Sequence, residues 1–327
     1  MKSLFGRPLP MKRPLVATLV MLVAACLVLT AVVGCDTTGR TDPRDPDTLS
    51  VVASFFPMYD FARKIAGDRA DVRLMVPAGS DPHTWEPTAA DIADLARSDL
   101  FVYSGAGMEH WADDVIAAAS NGELQVLEAS VGVTLRSGGH TEDHEEEESA
   151  DDHDGMDPHV WLSPVNAKIQ MANIRDALIA ADPGGAVTYQ ANYNHWAAEA
   201  DTLDADFRDA LAPYAGRGIV VAHEAFGYLC DAYGLEQIAV EGLTPDSEPD
   251  PARVAEIIRL AQEYDVKVVF FDKTASSKVA DTIAAEVGAR VDVLDPAASV
   301  DQDRIENGED WFSIMRDNLR ALAAAFD

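Results

Sequence analysis

Cysteine and basic residues are both scarce in this sequence. The 327-residue chain holds 3 cysteines, and its 25 Lys and Arg stand against 56 Asp and Glu, a formal charge of −31. So little positive charge argues against a nucleic acid or an anionic membrane surface as ligand, because both are polyanions that such a chain repels. An acidic chain favours cations instead. Motifs of covalent and phosphate chemistry are missing as well: there is no G-x-S-x-G elbow and no P-loop. His223-Glu224-Ala225-Phe226-Gly227 begins like a zincin helix but has Gly227 where that motif needs its second histidine. These absences weigh against catalysis. Disorder throughout is excluded by the 48% share of hydrophobic residues, and the length suits two ordinary domains or one large one.

The charge is unevenly spread. Every charge before Asp36 is positive (Lys2, Arg7, Lys12, Arg13), and residues 15–33 form an uncharged run dominated by Leu, Val and Ala. This predicts a secretion signal over residues 1–34. The run is also long enough to span a bilayer, so an uncleaved anchor is the alternative. Val32-Val33-Gly34-Cys35 is similar to the site at which bacterial lipoproteins are cut before a lipid-carrying cysteine, which predicts attachment to the membrane through Cys35. With Cys26 removed and Cys35 lipidated, Cys230 is left alone and the mature chain can form no internal disulfide. Its apolar neighbours Phe226, Tyr228 and Leu229 suggest a buried, inert thiol.

Residues 35–48 carry no large apolar side chain beyond Cys35 and read as a flexible tether. Short β-branched runs then alternate with helical patterns at 49–53, 72–76, 100–103 and 124–127, and again at 219–222, 237–240, 266–271 and 291–294. That alternation predicts an α/β fold of two lobes, residues 49–184 and 213–327, each with a parallel four-stranded sheet flanked by helices. Between them, Tyr193, Trp196, Ala200, Leu203, Phe207 and Leu211 recur at spacings of 3 and 4, stopped by Pro213. They mark one face of a linking helix over 185–212, roughly 39 Å long at 1.5 Å per residue. A loop at 138–156 belongs to neither core; residues 140–154 hold His140, His144 and His153 among nine acidic residues. Such a segment has too little apolar surface to fold on itself and suits loose binding of a transition metal, or a plain solvated loop.

Two segments echo each other: Asp81-Pro82-His83-Thr84-Trp85 and Asp157-Pro158-His159-Val160-Trp161. Proline stiffens each and keeps the preceding Asp extended, so each histidine is presented from a rigid loop. Helix starts follow both, Thr88 with Asp91 as a capping box and Ser163 before Pro164. In the second lobe one strand runs into His223 and another into Asp295. Ligands of open α/β sheets bind outside the carboxyl ends of the strands, so three histidines and one carboxylate can converge in the interlobe cleft. Imidazole and carboxylate suit a borderline cation such as Zn²⁺. The separations of 76, 64 and 72 residues offer no local finger-type spacing.

These residues carry a family resemblance. Asp-Pro-His-Thr-Trp-Glu-Pro-Thr at 81–88, Asp-Pro-His-Val-Trp-Leu-Ser-Pro at 157–164 and Val-Ala-His-Glu-Ala-Phe-Gly-Tyr at 221–228 stand in the order of the ligand motifs of one family. The chain from Cys35 onward resembles the zinc-specific solute-binding lipoproteins of ATP-binding-cassette metal importers, the helix-linked type that also has manganese-binding members. The resemblance implies a non-enzymatic monomer that captures Zn²⁺ as cargo outside the cytoplasm. It would then pass the ion to a permease driven by a separate ATPase. It implies His83, His159 and His223 as metal ligands, with Asp295 as the fourth and Asp272, beside Lys273, as its competitor. His223, where manganese binders typically have Glu, points to the zinc branch. The loop with His140, His144 and His153 lies where zinc-importing relatives carry a histidine-rich segment. Trp85 and Trp161 are expected to shield the site, and His110 and His195 to be exposed without a metal role. A manganese- or iron-binding member, a zinc-dependent hydrolase and an adhesive surface lipoprotein remain open alternatives.

Overall fold

The structure, a computed structural model, describes residues 48–138, 155–244, 249, 251–272 and 277–326. The expected signal, Cys35 and nearly all of the tether lie outside these residues, as do His140, His144, His153 and Lys273. No helix among the described residues is long and apolar enough to cross a membrane.

The first half of the chain alternates β1 (Leu49–Ala53), α1 (Phe56–Ala66), β2 (Ala70–Leu74), α2 (Ala89–Leu95), β3 (Leu100–Tyr103), α3 (Ala112–Ala119) and β4 (Gln125–Glu128). Two long helices follow, α4 (Pro164–Ala181) and α5 (Ala186–Leu211). The second half repeats the alternation with β5 (Gly218–His223), α6 (Gly227–Tyr233), β6 (Glu236–Glu241), α7 (Pro251–Glu263), β7 (Val268–Phe271), α8 (Lys278–Val287) and β8 (Arg290–Val293). It closes with the short α9 (Gln302–Glu306) and with α10 (Trp311–Phe326). The sheets are four-stranded, ordered β2-β1-β3-β4 and β6-β5-β7-β8, and every pairing is parallel. Each therefore has a switch point, between β1 and β3 and between β5 and β7, where successive connections leave in opposite directions and a crevice opens at the carboxyl ends.

Local chemistry sets the helix starts around the site. Thr88 accepts from the Asp91 amide while the Asp91 carboxylate accepts from the Thr88 amide, the reciprocal box expected before α2. Ser163 and Pro164 open α4 as expected, although the Ser163 hydroxyl makes no capping bond.

The two sheets share one core. Ile219, Val221, Val268 and Phe270 point into a cluster continuous with Val51, Phe101, Leu203, Phe207 and Leu322, whereas the alternating Val220 and Val269 face a smaller cluster under α7 and α8. The period of two along each strand produces this division. α5, 26 residues long, runs through the shared core. Ala200, Leu203, Phe207 and Leu211 are buried as its spacing predicts, but nearer its start the buried positions are Tyr189 and Ala197. Tyr193 and Trp196 sit at the rim under cations instead, with Arg175 4.4 Å above the first ring and Lys64 4.5 Å above the second. Lys64 also bonds Asp60 at 2.9 Å and Asp310 at 2.8 Å, so one buried ammonium joins α1, α5 and the start of α10. Burial raises the Asp60 carboxyl above its ordinary range despite the pull of Lys64. Cys230 is buried, and burial pushes its thiol well up, in keeping with an inert role.

Candidate metal centre

Three imidazoles from distant parts of the chain meet between the two sheets. His83 lies in the loop between β2 and α2, nine residues beyond the end of its strand. His159 precedes α4, and His223 is the last residue of β5, at the switch point of the second sheet. Each offers one nitrogen, and these nitrogens lie within 4.8 Å of one another. His83 is half-buried and the other two are buried.

The echoed Asp-Pro-His segments fold alike: Asp81 and Asp157 each accept from the amide of the histidine two residues on, at 3.0 and 2.9 Å. This is the Asx turn that aspartate favours. Asp157 does more, since the same Oδ1 also accepts a hydrogen bond from His159 Nδ1–H at 2.9 Å. Asp272, just past β7 across the switch point, does the equivalent for His223 at 2.7 Å. A carboxylate on Nδ1 fixes the tautomer and leaves the Nε2 lone pair for a cation. Nε2 of His159 is 3.2 Å from Nε2 of His83. Two nitrogens on one tetrahedral Zn²⁺, at Zn–N lengths of about 2.0–2.1 Å, stand about 3.3–3.4 Å apart, so this pair already has the spacing of a shared metal. Nε2 of His223 is buried and has no hydrogen-bond partner, an orphan nitrogen in a group of three.

The protonation balance suits a cation. Burial and the charges of the neighbouring imidazoles drive His83 down to about 2. Burial also lowers His159, against the pull of Asp157. For His223 burial lowers as well, but the adjacent Asp272 carboxylate outweighs it and the net shift is upward. Two of the imidazoles are thus shifted toward the neutral form that binds a metal, while His223 is shifted toward holding a proton that a metal would have to displace.

Asp295, expected as the fourth ligand, does not join this group. It is buried at the end of the second sheet, where Oδ1 accepts from the Ala297 amide at 2.9 Å and Oδ2 from Arg304 at 2.9 Å. The cation nine residues ahead in the chain draws the carboxylate to itself. Asp272, the competitor, serves as the partner of the His223 ring. Trp161 is fully buried 5.3 Å from the His159 ring and donates its indole N–H to the Pro296 carbonyl at 2.8 Å. Trp85 packs edge-on against Trp111 at 5.3 Å. His110 and His195 are exposed, the first 3.0 Å from Glu86 and the second against Trp196.

A family profile described as zinc-uptake complex component A, periplasmic (ZnuA), matches residues 51–325. The chain is 38% identical over 302 residues to the high-affinity zinc uptake system protein ZnuA of Bacillus subtilis, covering 92% of this chain and 94% of that protein. It is 34% identical over 310 residues to the zinc-binding lipoprotein AdcA of Streptococcus pneumoniae, covering 94% of this chain but 61% of that longer protein. The crystal structure of the Zn(II)-bound ZnuA-like domain of pneumococcal AdcA matches the fold with a TM-score of 0.72 at 33% identity, over 85% of this chain and 98% of that domain.

Proposed function

This chain belongs to the zinc-uptake complex component A family, and on that premise we propose that it captures Zn²⁺ outside the cytoplasm on His83, His159 and His223. The ion is cargo, passed on to a membrane permease powered by a separate ATPase. The protein is thus a transport component and not an enzyme. Lipid on Cys35 would hold it at the membrane, where it acts as a monomer.

The observation that carries the assignment is the orphan Nε2 of His223, buried in a group whose three ligand nitrogens lie within 4.8 Å of one another. A buried polar atom without a partner costs stability, and a cation bound there would satisfy it. Asp157 and Asp272 orient two of the rings, and Trp161 helps close the site to water. Three protein nitrogens leave one position of a tetrahedral shell for water or another group. An all-imidazole set suits Zn²⁺ better than Mn²⁺, which favours oxygen ligands.

Titration of the full chain with Zn²⁺ by calorimetry, under chelator competition, is expected to give one tightly held ion. His223→Ala should remove most of that affinity. Failure to take up one Zn²⁺, or preference for Mn²⁺ in direct competition, would overturn the assignment.

A further inference from the structure

Behind the metal centre the two halves of the site are joined through a residue that belongs to none of the ligand motifs. Arg136 follows β4, and its carbonyl accepts from the Asp157 amide at 2.9 Å, which sets the two residues opposite each other. Its guanidinium forks. Nη1 donates at 2.9 Å to Asp157 Oδ2, the oxygen that His159 does not use, and Nε donates at 2.9 Å to Asp231 on α6. The Asp157 side chain is fully buried, so both of its oxygens are engaged away from water: one by the His159 ring, one by Arg136.

α6 begins four residues after His223 and supplies the rest of this joint. The Tyr228 hydroxyl accepts from the Arg136 amide at 3.2 Å and donates to the Asp157 carbonyl at 2.9 Å. Gly227 lies directly under the guanidinium: a Cβ there would collide with Arg136 and come within 2.7 Å of Asp157 Oδ2. The glycine of the third ligand segment is therefore what lets the arginine sit between the lobes.

We infer that Arg136 is a positioning residue for the metal centre, holding the Asp157–His159 arm of the first lobe in register with the His223 arm of the second. The inference rests on the metal-binding assignment above. The fork has a specific geometric role. A planar guanidinium donates to two carboxylates in fixed directions, which a single ammonium does not reproduce. With Asp157 held on both oxygens, the His159 ring cannot swing, and the tie to α6 sets how far it stands from His223.

The test compares the full chain with Arg136→Gln, Arg136→Lys and Asp231→Asn, reading Zn²⁺ release into excess chelator, the visible spectrum of the Co²⁺-loaded form and the melting temperature. Arg136→Gln is expected to release Zn²⁺ about tenfold faster, the lower end of what partners of ligating groups contribute, and to change the Co²⁺ spectrum. Arg136→Lys should stay closer to the Gln variant than to the parent. Asp231→Asn, at a side chain 63% exposed, keeps the fold and should speed release roughly two- to fivefold, the scale of an exposed ion pair. Parental release and an unchanged Co²⁺ spectrum in folded Arg136→Gln would overturn the inference. If that variant fails to fold, parental release in Asp231→Asn would do so. A parent chain that takes up no Zn²⁺ at all would instead refute the metal assignment.

Discussion

Asp272 Oδ2 stands 2.7 Å from Nδ1 of His223, across the switch point of the second sheet and on the side of the ring away from its orphan nitrogen. This contact fixes which nitrogen a cation meets and raises the basicity of the ring.

Replacing Asp272 with alanine should therefore weaken Zn²⁺ binding by about 10- to 100-fold while leaving the stoichiometry at one. Competition against a chelator of known affinity measures it, and an unchanged affinity would show that His223 is oriented by packing alone.

The pH dependence of binding should report a single proton. His83 is driven down to about 2 by burial and its neighbours, and His159 is lowered as well, so neither competes with the metal near neutral pH. His223 is shifted upward by Asp272 against its burial, so it holds a proton over a wider range than a free imidazole. Affinity should be flat above its raised value and fall about tenfold per pH unit below it, the slope of one displaced proton. A slope near two or three, measured by calorimetry from pH 5 to 9, would mean that the histidines titrate together.

Lys64→Met should destabilise the protein by about 3–5 kcal/mol, because it strands the buried Asp60 carboxylate without its cation. Adding Asp60→Asn should recover much of the loss, since an amide carries no charge to desolvate. Urea unfolding of the two variants against the parent gives the difference; equal stability of single and double variants would contradict it.

Trp161→Phe should cost about 1–3 kcal/mol through the unmet Pro296 carbonyl, with a further loss where the indole leaves space. Thermal unfolding provides the measurement, and a melting temperature within a degree of the parent would dispose of the bond as a stabilising link.

The eight strands, the long helix and the three histidines were legible because each is written in local pattern: apolar runs, a 3-and-4 spacing, two stiff Asp-Pro-His segments and a histidine closing the run at 219–222. The carboxylates were not. Leu294-Asp295-Pro296 has the look of a strand end facing a ligand, yet Arg304 returns through α9 to claim it. Asp157 was visible as the residue before a proline, but its grip on the His159 ring depends on a turn that spacing alone does not reveal. Arg136 stands outside every motif, and its partners lie 21 and 95 residues away. In α5 the period correctly placed the second half of the buried face. Tyr193 and Trp196 escaped it because an aromatic ring can lie at a rim with a cation on its face.

The core that runs unbroken from β1 to α10 bears on unloading. Lobes that share one packed interior have little freedom to part by themselves, which on the proposed function leaves little room for a cargo ion to be shed by opening alone. On the proposed function, unloading is then expected to fall to the receiving permease. Of the three imidazoles His83, on the loop that follows an edge strand, is the least buried, which makes it the arm most open to such a partner.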